Sequence, residues 1–214
     1  MIDNAISISE KILYIKGLGE SYNRKGLAAR YNNNYGSSVT LHKRALNYLN
    51  KTTDTLLKIK CLNNLGVSYR KLNLEKEAFY FYFQALDLSE KMKNERSIVI
   101  ALSGIGNVFI DTKEYEKALH YFKRVYALDV ESDNIRGQEY SLSNIGEAFL
   151  YQKVYDSAYF YISKALGLTK EYKHKQSEAI RYNLLGLLFQ KKENIKNLSN
   201  FTKKQSLFLQ KKII

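Results

Sequence analysis

Five glycines fall at every fortieth position without a break: Gly26, Gly66, Gly106, Gly146 and Gly186. A fixed period of this size is the signature of a solenoid, in which each unit can bury its apolar face only against its neighbours. The register reaches the start of the chain, since Ala5-Ile6 lies one period before Ala45-Leu46, which lies one period before Ala85-Leu86. Around the second glycine, Leu62, Leu65, Gly66 and Tyr69 recur at spacings of three and four, which predicts a helix over about 56–72. A second helix over about 75–92 turns Ala78, Tyr82, Ala85 and Leu86 inward. Asp54, Asn94, Asn134 and His174 fall where each following helix should begin. The chain has no proline and only 11 glycines, which leaves little turn chemistry for a β fold. The expected class is all-α, a right-handed solenoid of antiparallel helix pairs.

The period divides the chain into five units with a short lead. Residues 1–18 read as the tail of a preceding partial repeat or an N-terminal cap, and 19–58 as a degenerate first repeat. Repeats follow at 59–98, 99–138 and 139–178, and 179–214 is a degenerate fifth repeat or a C-terminal cap. The first unit carries Lys25, Ser38 and His42 at otherwise apolar or small positions. In the fifth, Leu198, Thr202 and Gln205 replace the small-aromatic-small triplet of the second helix. Because the register is already running at residue 1, the chain is expected to be a segment of a longer protein. The ladder glycines read as packing notches: with Gly66, Ala78 and Ala85 all small, two helix backbones can approach closely.

Charge narrows the choice of partner. The net charge of +13 divides into +5 over residues 1–58, +2 over 59–190 and +6 over 191–214. The central repeats are nearly neutral with interspersed signs, as a solvated helix surface is, so a nucleic-acid reader is the lesser reading. No stretch approaches a membrane span, and the polar start MIDNAISISEK is unlike a secretion signal. The expectation is a soluble segment, cytoplasmic or periplasmic, of open oligomeric state.

Catalytic patterns are missing from the sequence. His42, His120 and His174 sit at different repeat phases, no phosphate-binding glycine motif occurs, and Asp111 and Glu147 stand as lone carboxylates. Cys61, the single cysteine, is expected to be a buried packing residue. No enzyme, metal or cofactor is called for.

The order Leu62-x2-Leu65-Gly66-x2-Tyr69, then Ala78-x3-Tyr82 and Ala85, resembles the tetratricopeptide repeat, here with a 40-residue period and no closing proline. Glu90, Val130 and Lys170 stand at the proline's positions. The longer second helix is similar to the extended-period subclass of kinesin light chains, bacterial peptide-sensing regulators and sensor regions of bacterial signalling proteins. The resemblance implies a groove lined by the first helices of successive repeats that holds a peptide or protein segment. By register its contacts are Asn23, Arg30, Asn63, Asn64, Arg70, Asn107, Asn144, Glu147 and Asn183. An asparagine amide both donates and accepts, which suits a peptide main chain. It also costs up to about 0.7 kcal/mol in a helix relative to alanine, so its recurrence asks for a use other than helix stability. The plainer alternative is that these are exposed polar residues, with solvated arginines beside them. Two further functions stay open: nucleic-acid binding through the basic ends, and a self-association scaffold.

Overall fold

The computed structural model describes residues 1–174 and 177–193, and all of its regular elements among these are helices. In chain order they are α1 (Ile2–Lys11), α2 (Ile15–Tyr31), α3 (Tyr35–Leu49), α4 (Thr55–Lys71), α5 (Glu75–Lys91) and α6 (Glu95–Asp111). Then come α7 (Tyr115–Glu131), α8 (Ile135–Tyr151) and α9 (Tyr155–Glu171), followed by α10 over residues 177–193. The fold is an all-α solenoid of consecutive helix pairs, as the period predicts. Leu198, Thr202 and Gln205 lie outside the described residues. The chain forms two compact units, Met1–Leu128 and Asp129 onward.

From α2 to α9 the helices are 15 to 17 residues long, because one joint repeats. Leu13, Asn33, Asn73, Lys93, Lys113, Asp133, Lys153 and Lys173 all take a left-handed conformation, with φ between 50° and 64°. They recur at every half-period except at the α3–α4 connection. The next residue then donates its N–H to a carbonyl five back, as in Leu74 N–H to Tyr69 O at 3.0 Å and Asn94 N–H to Ser89 O at 3.0 Å. This closes the orphan carbonyls of the helix end. No glycine fills the left-handed position, which costs roughly 1 kcal/mol per joint.

The residue after the left-handed one also starts the next helix. Asn34, Asn94 and Asn134 accept from the backbone N–H of Ser37, Ser97 and Gly137 at 2.9 to 3.1 Å. Asp54 does the same for Leu57 at 2.9 Å. Asp54, Asn94 and Asn134 are the helix starts expected from the sequence, and each side-chain cap is worth about 1 kcal/mol.

In the first unit, the core runs through Ile59, Leu62, Leu65, Tyr69, Ala78, Tyr82, Ala85, Leu102, Ile105 and Val125. The ladder glycines are notches, but for rings rather than backbones. A methyl group added to Gly66 would lie 2.8 Å from ring atoms of Tyr82, and one on Gly106 2.5 Å from Phe122. At Gly26 it would meet the His42 imidazole at 2.7 Å. Each partner stands at the same offset downstream of its glycine, so a planar side chain on the second helix lies flat in the gap on the first. In the second unit, Gly146 meets Ile162 Cγ1 at 2.6 Å, with backbone atoms of Ile162 and Ala158 at 3.2 and 3.3 Å. There the expected close backbone approach is realised, because an aliphatic side chain is smaller than a ring in the contact. Gly186 has nothing within 4 Å among the described residues.

His42 departs from this pattern chemically. It is fully buried where Tyr82 and Phe122 stand in later pairs, and neither ring nitrogen has a hydrogen-bond partner among the described residues. Burial, aided by the nearby Arg30 charge, lowers its pKa to about 4. Cys61 is likewise buried, its S–H donating to the His42 carbonyl at 3.2 Å and its pKa pushed up to about 12 by burial. This is the inert packing role expected of it.

Two glycines in helix interiors should respond to alanine in opposite ways. Gly66→Ala should destabilise by about 1–3 kcal/mol in urea titrations, because the Tyr82 ring must move. Gly167→Ala, with nothing within 4 Å, should stabilise by up to about 1 kcal/mol. His42→Phe should change the acid response: folded His42 binds its proton less readily than the unfolded chain, near 6.5. Its contribution to stability is therefore intact above 6.5 and is lost as pH falls towards about 4. Relative to the wild type, the variant should gain stability across that window, by up to about 3 kcal/mol at its acid end, as read from Tm against pH.

Candidate binding groove

In the first unit, α2, α4 and α6 lie side by side, each the first helix of its pair. Residues just before and after their ladder glycines therefore share one face. That face holds Asn23 and Asn63, both buried, and Asn64, Arg30, Arg70 and Asn107, all half-buried. In the second unit, Asn144 and Glu147 are half-buried and Asn183 is exposed.

The groove asparagines are tied together across helices. Asn64 Nδ2 donates to Asn23 Oδ1 at 3.1 Å, and Arg30 Nη1 donates to Asn64 Oδ1 at 3.4 Å. One amide thus bridges α2 and α4 and uses both of its polar atoms. Farther along, Arg70 Nη1 donates to Asp111 Oδ2 at 2.8 Å, bridging α4 and α6. Asp111 is a lone carboxylate in the sequence because its partner lies 41 residues away. Arg70 is thereby held by a protein carboxylate, whereas the Arg30 hydrogen bond goes to an amide.

Asn63 is different. Its side chain is buried, yet Oδ1 has no hydrogen-bond partner among the described residues. An unmet buried acceptor costs about 1–3 kcal/mol. Asn63 and Asn23 line a cavity of about 510 Å³ that spans the three helices. Leu27, Leu56 and Ile100 supply its apolar wall and Lys60 and Arg96 its charge. Asn94 and Ser97, at the capped start of α6, close one end. The volume suits a few residues of an extended peptide more than a whole domain. Lys60 and Ile100 stand at one repeat phase, six positions before each glycine, that helical spacing alone does not single out. The signal available was the side chain at that phase on successive first helices.

In the second unit the structure also joins residues that look unrelated in sequence. Glu139 is fully buried where Ile59 and Val99 stand in earlier pairs. Thr169 Oγ1 donates to its Oε2 at 3.0 Å, and His174 Nδ1 pairs with its Oε1. Arg181, buried at the phase of Cys61 and Ala101, donates to the Ser177 carbonyl at 3.2 Å and lies 4.7 Å over the Tyr140 ring. The helix periodicity marks these phases as interior but says nothing of their polarity. His120 is exposed and His42 buried, so the three histidines stay apart in role.

Residues 59–92 match the family model of the tetratricopeptide repeat. That match covers one repeat, α4 with α5. No curated protein matches the sequence of this chain. Among solved structures, the repeat fold is similar to aspartyl phosphate phosphatase F from Bacillus subtilis, at TM-score 0.74 and 18% identity over 88% of this chain and 50% of that one. It is similar to the Rap conjugation gene regulator of plasmid pLS20 in complex with the Phr* peptide, at TM-score 0.72 and 18% identity over 88% and 53%. It is also similar to kinesin light chain TPR-like repeats of Podosopora anserina, at TM-score 0.64 and 12% identity over 90% and 98%. The chain spans about half the length of the first two proteins. No helix among the described residues is long and apolar enough to cross a membrane.

Asn63→Leu should raise the stability of the free protein by about 1 kcal/mol, because it removes the unmet acceptor and keeps the volume. Chemical denaturation without any peptide present reads this directly; a loss of stability would show that Oδ1 is satisfied in the free protein.

Proposed function

We propose that this chain is a non-catalytic binding scaffold whose first-helix face holds an extended peptide or protein segment, as the sensor or regulatory region of a larger signalling protein. The observation that carries this reading is the set of amides Asn23, Asn63 and Asn64 in the wall of one cavity, Asn63 with a buried Oδ1 that has no partner among the described residues. A peptide main chain presents N–H and C=O groups regardless of its side chains, and amides lining a cavity can both accept from and donate to them.

The asparagines sit on helices that packing already fixes, so their poor helix propensity is tolerated at little risk to the fold. In this reading Asn23, Asn63, Asn64 and Asn107 contact the peptide main chain in the first unit. Arg30 and Arg70 orient the amide and carboxylate that border it. Asn144, Glu147 and Asn183 are proposed as separate contacts on the second unit. The Rap regulator with its Phr* peptide supports a peptide as ligand, while the phosphatase activity named for the Bacillus protein is not carried over on a likeness of fold.

Selection from a random linear dodecapeptide display library tests the reading. Peptides recovered by the wild-type chain should bind Asn63→Ala/Asn64→Ala at least tenfold more weakly in calorimetry, a loss of about 1.4 kcal/mol or more, with helicity unchanged by circular dichroism. Equal affinity for the double variant would remove the asparagines from the site.

A further inference from the structure

We propose that the exposed face of α5 is a self-association surface, on which a second copy of this chain docks its own α5 antiparallel about a two-fold axis between Tyr80 and Phe83. This face is carried by the second helix of its pair and shares no residue with the candidate groove. Two large rings stand out on it, Tyr80 at 61% and Phe83 at 43% exposed. The corresponding positions on the other second helices of the first unit are Thr40 and Lys43 on α3 and His120 and Lys123 on α7, all exposed. The repeat therefore packs without an aromatic pair at this phase. Phe83 stacks on Phe79 at 6.0 Å, and Phe79 meets Phe109 of α6 at 4.7 Å. Tyr80 meets Phe81 at a right angle at 5.1 Å, and Phe81 stacks on Tyr69 of α4 at 5.3 Å. Both exposed rings are thus backed by half-buried rings seated on the core, so little side-chain freedom is lost when a partner covers them.

The charges at either end of the ring pair identify the partner. Lys76 and Asp87 are exposed and lie on the same stripe of α5 as the rings, because positions three and four apart share a helix face. Lys76 stands four residues before Tyr80 and Asp87 four after Phe83, so the stripe reads cation, ring, ring, anion about a centre between the rings. Reversed end for end, such a stripe is complementary to itself. Two copies of α5 crossing antiparallel set Tyr80 against the partner's Phe83 and Lys76 against the partner's Asp87, and the two-fold axis makes each contact twice. A parallel crossing would instead oppose like charges at both ends. Neither neighbouring second helix has this symmetry, since α3 carries Gly36 and Asn47 at the corresponding positions and α7 carries Glu116 and Ala127. Asp87 also holds Lys91 at 2.7 Å, but both side chains are exposed, and a surface pair of this kind is exchanged at little cost. Opposite charges placed equally far from the centre of a ring pair are what a second copy requires of this face.

Sedimentation equilibrium of the full chain tests this. The average mass should climb from monomer towards dimer as concentration rises from about 5 to about 500 µM, the range suited to a contact smaller than a standard interface. Tyr80→Thr/Phe83→Lys installs the side chains that α3 already carries at these phases. It should raise the dissociation constant at least tenfold, with helicity unchanged by circular dichroism. Lys76→Asp and Asp87→Lys should each weaken the dimer, because either puts like charges opposite one another. Mixed in equal amounts, these two variants should associate more tightly than either does alone, since both pairs across the contact are then of opposite sign. A dimer that the ring substitutions leave intact, or a mixture no tighter than its components, overturns the proposal. A chain that stays monomeric through this range also overturns it. If that monomer co-sediments with phosphatidylglycerol vesicles and the ring variant does not, the face belongs to a membrane surface instead.

Discussion

The structure depends on a side chain of the second helix lying in the gap left by a glycine of the first. Tyr82 against Gly66 and Phe122 against Gly106 leave no room for even one methyl group. The contact is made at the same distance downstream each time, so it fixes how far the chain travels before it doubles back. It also fixes which residues flank the glycine on the opposite face. Packing inside each pair thereby sets the register of the face outside it. Tyr82 extends this to the next pair, since a methyl on Gly104 would come within 2.2 Å of the same ring. A single ring thus serves two glycines, one within its pair and one beyond it.

The joints between helices add a second constraint. A left-handed residue closes one helix, and the following residue opens the next, so three residues suffice to reverse the chain. The conformation is met by Asn, Asp, Lys and Leu without glycine. Its strain is offset by backbone bonds at the closing end and, at Asn34, Asn94 and Asn134, by a side-chain cap at the opening end. The glycines are thus spared for packing. This division explains how a chain with no proline and few glycines still turns so often.

Polar groups in the interior mark where uniform packing is given up. In the second unit, Glu139, Thr169 and His174 satisfy one another, so their burial is compensated. His42 and Asn63 in the first unit are not compensated by the described residues. The His42 ring fills a space that an aromatic residue fills elsewhere, and shape alone accounts for it. Asn63 faces a cavity, where shape gives no reason for an amide.

The amino-acid sequence by itself determined the class of fold, the period, the two helices of each pair and the caps that begin them. These follow from local spacing, which the α-helix converts directly into a face. It also determined which residues share a phase around each glycine, because a repeat carries register from one unit to the next. Only the tertiary structure decided which partners those residues have. Arg70 with Asp111, Asn64 with Asn23, and Glu139 with His174 are separated by 35 to 41 residues. At such a separation, distance depends on how neighbouring helices pack and not on the spacing within one. The same holds for the side chain in each occupied glycine notch, and for Asn63, whose buried Oδ1 has no partner among the described residues.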